Sequence, residues 1–552
     1  MPLALLENKF IFFANQTQTA QTEMADQADR LKDYMDSLKS RKEDFVSGLT
    51  GSTIPEINYI SAVALTTYIA GKILNLASNK GNGQKFTLYM AIDYALNWLC
   101  LLLAVTLYAN NVQLLHILIL VPVALAAFAK SSNKSSKNTK KNAPRAKVDN
   151  KKTLKNKKNN TQTSSELKLV KQSFLTGYRS HMLIMTAIAI LAVDFPLFPR
   201  KLAKVETWGT SLMDLGVGCF VFSNGVVSTR SVISEKLELK SKANYLRKFV
   251  QSFKHGIILL ALGLLRLYFT KNLEYQEHVT EYGVHWNFFM TLSLLPPFLV
   301  LVVEPIIMLT NVPRFIIALA IGLTTEYMLI HNEKMLPYLI TSERDTLINA
   351  NREGLWSFLG YCSIFLWGQT IGMFCLSSTP FKNNLYTVNP QSKGSKSVNK
   401  KLTKFDKLTT VSPLQGLFTW VCILGALSAI VFKYDPYTCS RRFANLPYVL
   451  WVALYNVCSI FFYALADYVC AYYKNSNFQN ESVYEIPESL EAINSNGLLL
   501  FLLANVSTGL VNMSINTLDA APVQSFLVLL CYCFFLYSVS VFLYRNKIFI
   551  KF

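Results

Sequence analysis

Long apolar runs recur along the chain from Ile57 to Tyr544 and are separated by shorter polar stretches. Each run has roughly 17–25 residues, the length that an α-helix needs to cross the hydrocarbon core of a bilayer. The pattern therefore predicts an all-α, polytopic membrane protein with about 13 transmembrane helices. The spans are expected near residues 57–77, 86–108, 112–129, 180–198, 209–228, 254–270, 286–304, 312–330, 355–377, 413–433, 447–473, 497–517 and 522–544.

Two segments stand apart from this pattern and set the expected domain boundaries. Residues 1–50 are largely polar and form an N-terminal segment, whose short apolar start lacks the basic region of a signal peptide. Residues 51–552 are expected to form a single transmembrane domain. Within it, residues 130–171 carry fourteen Lys and Arg against two acidic residues, with few apolar positions. This composition predicts a disordered loop.

The distribution of positive charge predicts the orientation of the chain. Four segments are strongly basic: 130–179, 229–254, 378–412 and the C-terminal tail. With thirteen spans all four fall on one side, which the Lys/Arg bias of short loops identifies as cytosolic. The C-terminus is then cytosolic and the N-terminus lumenal. A nucleic-acid-binding arm is the competing interpretation of the basic loop, but a basic loop between spans is typical of the cytosolic face, so no nucleic-acid partner is expected.

Overall composition narrows the chemistry further. The chain is 51% hydrophobic and only 16% charged, and its ten cysteines are scattered, mostly inside apolar runs. Neither the cysteines nor the six histidines have the spacing of a metal site, and no disulfide framework is predicted. No G-x-S-x-G, P-loop or dinucleotide fingerprint occurs either, so transport driven by a fused ATP-hydrolysing motor is not expected. No permanently bound cofactor is expected.

A charged hinge, Asp194 to Glu206, separates two apolar runs. Asp194 directly precedes Phe195-Pro196, so it is expected at a helix end next to a partly dry site. Desolvation raises the pKa of a carboxylate toward the range of a general base, and the Lys204 ammonium, on the same turn, suits the stabilisation of an oxyanion. The alternative is a structural ion pair that fixes the hinge. Four basic residues fall on the expected lumenal side: Arg200, Lys201, Arg441 and Arg442. Positive charge on this side indicates an anionic ligand. The alternative is that a few basic residues on short lumenal loops cost little free energy.

Other polar residues near or inside spans are candidates for substrate binding. One cluster lies at the entry of the seventh span and contains Glu277, His278, Glu281, His285, Trp286 and Asn287. Asp214 and Arg266 lie inside apolar runs, where ionisable groups generally face a cavity or the bundle interior. Glu206 and Trp208 complete the candidate set at the hinge. From the residues alone, two classes remain: a membrane transferase acting on a lipid, and a secondary transporter, although no internal repeat favours the latter.

Several long strings in this sequence are distinctive: "AILAVDFPLFPRKLAKVETWGTSLMDLGVG", "NLEYQEHVTEYGVHWNFF", "NREGLWSFLGY", "SRRFANLPYVLW" and "AINSNGLLLFLLANVSTGLVNMS". They closely resemble the fungal GPI inositol acyltransferases, the counterparts of the animal PIG-W proteins. The resemblance runs from about Met35 to Phe552. Residues 1–34 are therefore an extension or precede the true start, and the basic loop is longer than is usual in the family.

The resemblance implies an enzyme of GPI-anchor biosynthesis in the endoplasmic reticulum membrane. Such an enzyme transfers a fatty acyl group, typically palmitoyl, from acyl-CoA as co-substrate to the inositol ring of glucosaminyl-phosphatidylinositol. The catalytic pair of the family falls on Asp194 in "AVDFP" and Lys204 in "LAKVETWG". Basic residues would then hold the phosphates, and the cluster around His285 would bind sugar hydroxyls. A flippase or transporter of a GPI precursor or of acyl-CoA, and a non-enzymatic scaffold of the pathway, remain as alternatives.

Overall fold

The computed structural model describes residues 37, 40–42, 44–74, 84–139, 169–237, 245–272, 279–388, 403–473 and 484–550. Thirteen of its helices are long and apolar enough to cross a membrane, which confirms the predicted polytopic, all-α fold. In chain order, α1 to α13 are Ile54–Leu74, Thr87–Val105, Val112–Ala129, Ser173–Ala192, Leu212–Glu235, Tyr245–Tyr268, Phe288–Thr310, Arg314–His331, Arg352–Cys375, Pro413–Tyr434, Leu446–Tyr472, Gly497–Ser514 and Pro522–Arg545.

The fourth helix begins and ends earlier than its apolar run suggests. The run predicts a span over 180–198, whereas α4 is Ser173–Ala192. The polar residues in its first half are largely buried, and the Ser180 hydroxyl, for example, donates to the Leu490 carbonyl (2.5 Å). Its end is fixed by Pro196 and Pro199, which supply no amide hydrogen for a further helical turn. The charged hinge therefore lies wholly outside the helix.

Four helices form the centre of the bundle and the others surround them. The apolar window of α9 is 94% buried, and α4, α5 and α11 are also mostly buried, whereas α6 is only 12% buried. α5 and α9 pack most closely, because Gly225 and Gly368 place each helix against the backbone of the other. At the periphery, α6 packs mainly against α7, and α3 against α1. These outer helices expose apolar side chains, as helices in contact with lipid do.

Loops that are far apart in the sequence meet at the same end of the bundle. Residues 193–211 contact the N-terminal segment through the bond from Glu206 N to the Leu49 carbonyl (3.2 Å). They contact the 435–445 loop through the bond from Gly209 N to the Cys439 carbonyl (2.8 Å). We call the end formed by the loops 193–211, 279–287, 332–351 and 435–445 the charged end. At the opposite end, Leu169 pairs with Ser377, and Arg545 with Glu488. Successive loops thus alternate between the two ends of the bundle, as expected for a chain that crosses the membrane thirteen times.

Some expectations concern residues that lie partly or wholly outside the described part. The helix that contains α3 runs from Val112 to Thr139, so it extends into the segment for which the composition predicts disorder. Residues 140–168 of that segment, and residues 1–34, are outside the described residues. All ten cysteines are in the described part, and each is a free thiol.

The packing of α5 against α9 gives a test of the fold. A Cβ added at Gly225 would overlap the carbonyl oxygen of Phe365, so Gly225→Ala is expected to destabilise the protein by about 1–3 kcal/mol through overpacking. Gly425, in α10, has no atom within 4 Å of an added Cβ. Gly425→Ala should instead be neutral or stabilising by up to about 1 kcal/mol, because alanine favours the helix. Thermal unfolding of both variants in detergent checks this; equal melting temperatures would contradict the close packing.

Candidate active site at the charged end of the bundle

A cavity of about 1100 Å³ opens beside the charged hinge and extends into the membrane-spanning region. Its volume is at or above the upper end of the roughly 300–1,000 Å³ that is typical of small-molecule sites. Asp194, Lys204 and Glu206 of the hinge line its charged end, and His181 and Tyr463 line its deeper part. Most of the remaining lining is apolar. The cavity thus joins a charged mouth to an apolar interior.

The hinge is held by a single arginine after α4 ends. Arg200 lies in the short 3₁₀ turn Arg200–Leu202, and its Nη2 donates to the carbonyl oxygens of Val193 (2.8 Å), Phe195 (3.1 Å) and Phe198 (3.0 Å). These carbonyls lie just beyond the helix, where regular partners are lacking. Both phenylalanine rings are fully buried, so they anchor the turn. Arg200 therefore acts here as a cap; that it also binds a phosphate stays a prediction.

Asp194 lies at the start of this hinge, and a side chain of α12 holds it in place. Asn512 Nδ2 donates a hydrogen bond to Asp194 Oδ2 (2.7 Å). Within the described residues Oδ1 accepts no hydrogen bond, and Asp194 lines the cavity. Burial raises the pKa of Asp194 above its ordinary value, while the Asn512 bond and the cations Lys42, Arg200 and Lys204 oppose the rise. Asp194 is thus a cavity-lining carboxyl group with a raised pKa, and its role as a general base stays a prediction.

Lys204 also lines the cavity, but its ion-pair partner is not Asp194. Lys204 Nζ lies 2.8 Å from Glu281 Oε1, on the loop before α7. Arg441 Nη2 lies 3.8 Å from the same oxygen, and Arg441 Nε donates to Asp214 Oδ1 (2.6 Å). Asp214 in turn accepts from the backbone amide of Val205, next to Lys204 (3.0 Å). A closed chain of alternating charges, Asp214–Arg441–Glu281–Lys204, thus fixes the ammonium group beside the cavity.

The pKa values of the two arginines of this region, Arg200 and Arg441, shift in opposite directions. Burial lowers the pKa of Arg200 to about 10, although the nearby Asp194 carboxylate opposes the change. Burial also lowers the pKa of Arg441, but the Glu281 and Asp214 carboxylates outweigh this effect and raise it well above its ordinary value. Arg441 therefore stays charged, and the neighbouring acids neutralise it.

The loop before α7 contributes one wall of the site. Trp286 and Asn287 line the cavity. Trp286 Nε1 donates to Thr291 Oγ1 (2.8 Å), and Asn287 caps the next helix by accepting from the Met290 amide (3.2 Å). Outside the cavity wall, the backbone amide of His285 is held by Asn351 Oδ1 (2.7 Å). Glu277 and His278, predicted as part of this cluster, lie outside the described residues.

The remaining predicted binding residues are spread around the charged end. Lys201 pairs with Glu56 (2.5 Å) on the outer side, and Arg442 Nη2 bonds to the buried Glu353 (3.1 Å). Trp208 stacks on Tyr437 with ring centroids 5.2 Å apart. These three contacts lie outside the cavity lining, whereas Arg266 of α6 is part of it. Substrate binding by all of these residues stays a prediction, and the structure favours Arg266 and Glu206 for direct contact.

Two polar residues at the centre of the site were not expected to have this role from the sequence. Asn512 is one of several polar residues in apolar runs and is equally consistent with simple contacts between helices. Glu281 lies in the string "VTEYG" beside more conspicuous histidines. The sequence contains one signal for each residue: Glu281 is an acid near a membrane boundary, and Asn512 is an amide within a span. Neither signal identifies the partner, which in each case is more than 70 residues away in the chain.

Thirteen spans around a membrane-embedded cavity, with a carboxylate and an ammonium group at its mouth, define a multi-pass membrane protein with an internal site for a chemical reaction or a ligand. The GWT1 family model matches residues 38–543. The chain therefore belongs to the GWT1 family.

Similar proteins cover nearly the whole chain. A protein of Saccharomyces cerevisiae named GPI-anchored wall transfer protein 1 is 51% identical over 518 residues, which are 94% of this chain and 100% of that protein. The protein of the same name from Candida glabrata is 49% identical over 521 residues, with 94% and 100% covered. The one from Candida albicans is 38% identical over 522 residues, with 93% and 99% covered.

The chain of alternating charges predicts that two basic residues of the charged end contribute differently to the free energy of unfolding. Arg441→Met leaves Asp214 buried without its cation, so the variant should lose about 3–5 kcal/mol of unfolding free energy. Lys201→Met breaks a partly exposed pair with Glu56, and about 0–1 kcal/mol is expected. Thermal or denaturant unfolding in detergent measures both losses. Similar losses for the two variants would show that the buried chain contributes no more than a surface ion pair.

Proposed function

We propose that the protein is a membrane O-acyltransferase of GPI-anchor biosynthesis. It moves a fatty acyl group, typically palmitoyl, from acyl-CoA to an inositol hydroxyl of glucosaminyl-phosphatidylinositol. The observation that carries the proposal is the position of Asp194, which lines the cavity with one carboxylate oxygen on Asn512 and the Lys204 ammonium group at the same mouth. The GPI-anchored wall transfer proteins of the family support the assignment to the GPI pathway.

In the proposed reaction Asp194 acts as the general base. Its Oδ1 accepts the proton of the inositol hydroxyl while the hydroxyl oxygen forms a bond with the thioester carbonyl carbon. The C–S bond then breaks, and the proton passes to the departing CoA sulfur. The products are the inositol ester and CoA thiol, and no acyl group is attached to the protein in this route.

Lys204 supplies positive charge where the tetrahedral intermediate carries a negative oxygen. Its ammonium group is fixed by Glu281, which is itself held near Arg441. A cation fixed in advance costs little reorganisation during the reaction, and this is the main source of electrostatic stabilisation in enzymes. The same charge lowers the proton affinity of Asp194, so Lys204 also keeps part of the base ionised.

We assign binding of the lipid headgroup and of the phosphates to residues around Asp194 and Lys204. Arg266 and Lys204 line the cavity and are the nearest candidates for phosphate contacts. Trp286 and Asn287 provide a wall of the kind that binds sugar rings and hydroxyls. We propose that the charged end faces the lumen of the endoplasmic reticulum and that the C-terminus is cytosolic, in agreement with the Lys/Arg bias of the loops.

Replacement of either residue of the pair should abolish most acyl transfer without unfolding the protein. Asp194→Asn is expected to lower the rate about 10²–10⁴-fold because the base is lost. Lys204→Ala is expected to lower it about 10²–10³-fold because the oxyanion loses its cation. The assay is transfer of labelled palmitoyl from CoA to a glucosaminyl-phosphatidylinositol analogue by purified protein.

Two variants at the same end serve as controls. Asp519→Asn and Lys433→Ala each remove a charge that does not line the cavity, and both should keep the wild-type rate. Near-normal rates of Asp194→Asn and Lys204→Ala would assign these residues a structural role. Lipid movement that survives Lys204→Ala, with no acyl transfer by the wild type, would support a transporter instead.

The pH dependence tests the part played by Asn512. Activity requires ionised Asp194, so the rate should fall as the pH decreases through the raised pKa of this carboxyl group. The Asn512 bond favours the carboxylate, and hydrogen bonds to charged groups contribute about 1.5–3 kcal/mol. Asn512→Leu should therefore shift the acid limb of the rate profile upward by roughly one to two pH units.

Ser514→Ala is the matched control for this measurement. Ser514 lies on the same helix and donates within it, to the Leu510 carbonyl (2.7 Å). The control should leave the acid limb in place. A profile of Asn512→Leu that is lower at every pH, with an unmoved limb, would mean that Asn512 contributes only to packing.

A further inference from the structure

The cavity lining is divided between two groups of helices around α4, and we call the part next to each group an arm. α1 and α11 line one arm, through residues such as Ser61 and Tyr455. α6 and α12 line the other, through residues such as Leu265 and Val506. We call the second arm, bounded by α4, α6, α7 and α12, the α12 arm.

The carboxylate belongs to the α12 arm. Asp194 follows the end of α4, and its hydrogen bond to Asn512 attaches it to α12. Below it, the arm is lined by apolar side chains such as Phe289, Phe501 and Val506. Val506 precedes Asn512 by six residues, so it lies about 9 Å deeper along the helix. The arm therefore extends from the proposed base into the hydrocarbon region.

The outer wall of this arm is formed by two helices that hardly touch each other. α6 packs mainly against α7, and α12 mainly against α4, so α6 and α12 face each other across the arm with little mutual packing. Leu265 of α6 and Val506 of α12 line the cavity and are 50% and 60% exposed. Apolar side chains with this much accessible surface, on two helices that hardly touch, are the observation from which we infer a lateral opening at this depth.

We propose that the aliphatic tails of the lipid acceptor enter the α12 arm sideways from the bilayer, between α6 and α12. This inference rests on the proposed function, because the base must touch the acceptor hydroxyl and therefore fixes the arm in which the acceptor lies. A two-tailed lipid does not leave the bilayer readily, since all of its apolar surface would be exposed to water. An opening at the level of the hydrocarbon core removes this obstacle.

Arg266 fits the same arrangement. It follows Leu265 on α6 and lines the cavity. An arginine at this position can extend its guanidinium toward the headgroup level while its aliphatic part stays in the apolar region. In the acceptor, the phosphate connects the inositol ring to the aliphatic tails. With the ring at Asp194 and the tails in the α12 arm, the phosphate comes within reach of Arg266.

The test combines photolabelling with kinetics. The probe is a phosphatidylinositol with a diazirine in one fatty acyl chain, presented with the full-length protein in phosphatidylcholine nanodiscs. Irradiation and peptide mapping should locate the label on residues 262–267 of α6 and 501–509 of α12. Label on α1 and α11 instead would overturn the proposal, because it would place the lipid in the other arm.

Tryptophan substitutions at the proposed opening provide the kinetic part of the test. Val506→Trp and Leu265→Trp should reduce labelling and raise the acceptor KM about tenfold, with the KM for palmitoyl-CoA unchanged. The matched controls are Leu510→Trp and Leu264→Trp, at positions 61% and 52% exposed that do not line the cavity. A short-chain, water-soluble acceptor should still be turned over by Val506→Trp, which shows that the variant is folded.

The outcomes separate this inference from the proposed function. If the probe labels the α12 arm but the wild type transfers no acyl group, the lipid site stands and the acyltransferase assignment fails. If the wild type transfers acyl groups but Val506→Trp and Leu510→Trp behave alike, the lateral entrance is wrong and the assignment stands. An unchanged acceptor KM in both opening variants likewise overturns the entrance.

Discussion

The alternating charges of Asp214, Arg441, Glu281 and Lys204 determine where the charged end of the molecule holds its functional groups. The four side chains come from α5 and from three different loops, and each opposite charge offsets part of the desolvation of its neighbours. Removal of one member would leave a buried charge without compensation. The hinge beside the cavity therefore has one stable arrangement, and an ammonium group on a long, flexible side chain acquires a defined position.

Asp194 differs from the members of this chain, because within the described residues no cation forms an ion pair with it. Burial makes its carboxylate less stable, whereas Asn512 and the nearby cations stabilise it through one hydrogen bond and through charges beyond contact distance. A direct ion pair with Lys204 would lower its proton affinity further. The pairing of Lys204 with Glu281 avoids this, so the two cavity groups influence each other without cancelling. The separation of base and cation is thus a consequence of the loop before α7.

The spans could be predicted because hydrophobic runs of membrane length have few alternative folds. Asp194 and Lys204 could be expected beside the same cavity because one short loop carries both. The roles of Arg200 and Arg441 could not be predicted in the same way. Positive charge on the lumenal side indicates an anion, yet Arg200 binds backbone carbonyls and Arg441 binds two carboxylates of its own chain. Partners that are hundreds of residues away leave no local pattern in the sequence. For this reason the sequence could not show whether Asn512 bonds to Asp194 or only makes contacts between helices.

The hydrogen bonds that define the hinge also impose an order on the biosynthesis of the protein. Glu206 is bonded to Leu49, which is synthesised first, whereas Gly209 depends on Cys439, which precedes the eleventh span. Asp194 obtains its amide partner only from the twelfth span. A nascent chain with fewer spans inserted therefore contains both cavity groups but lacks the contacts that orient them. The contacts of the hinge are therefore complete only when the synthesis and membrane insertion of the chain are almost finished.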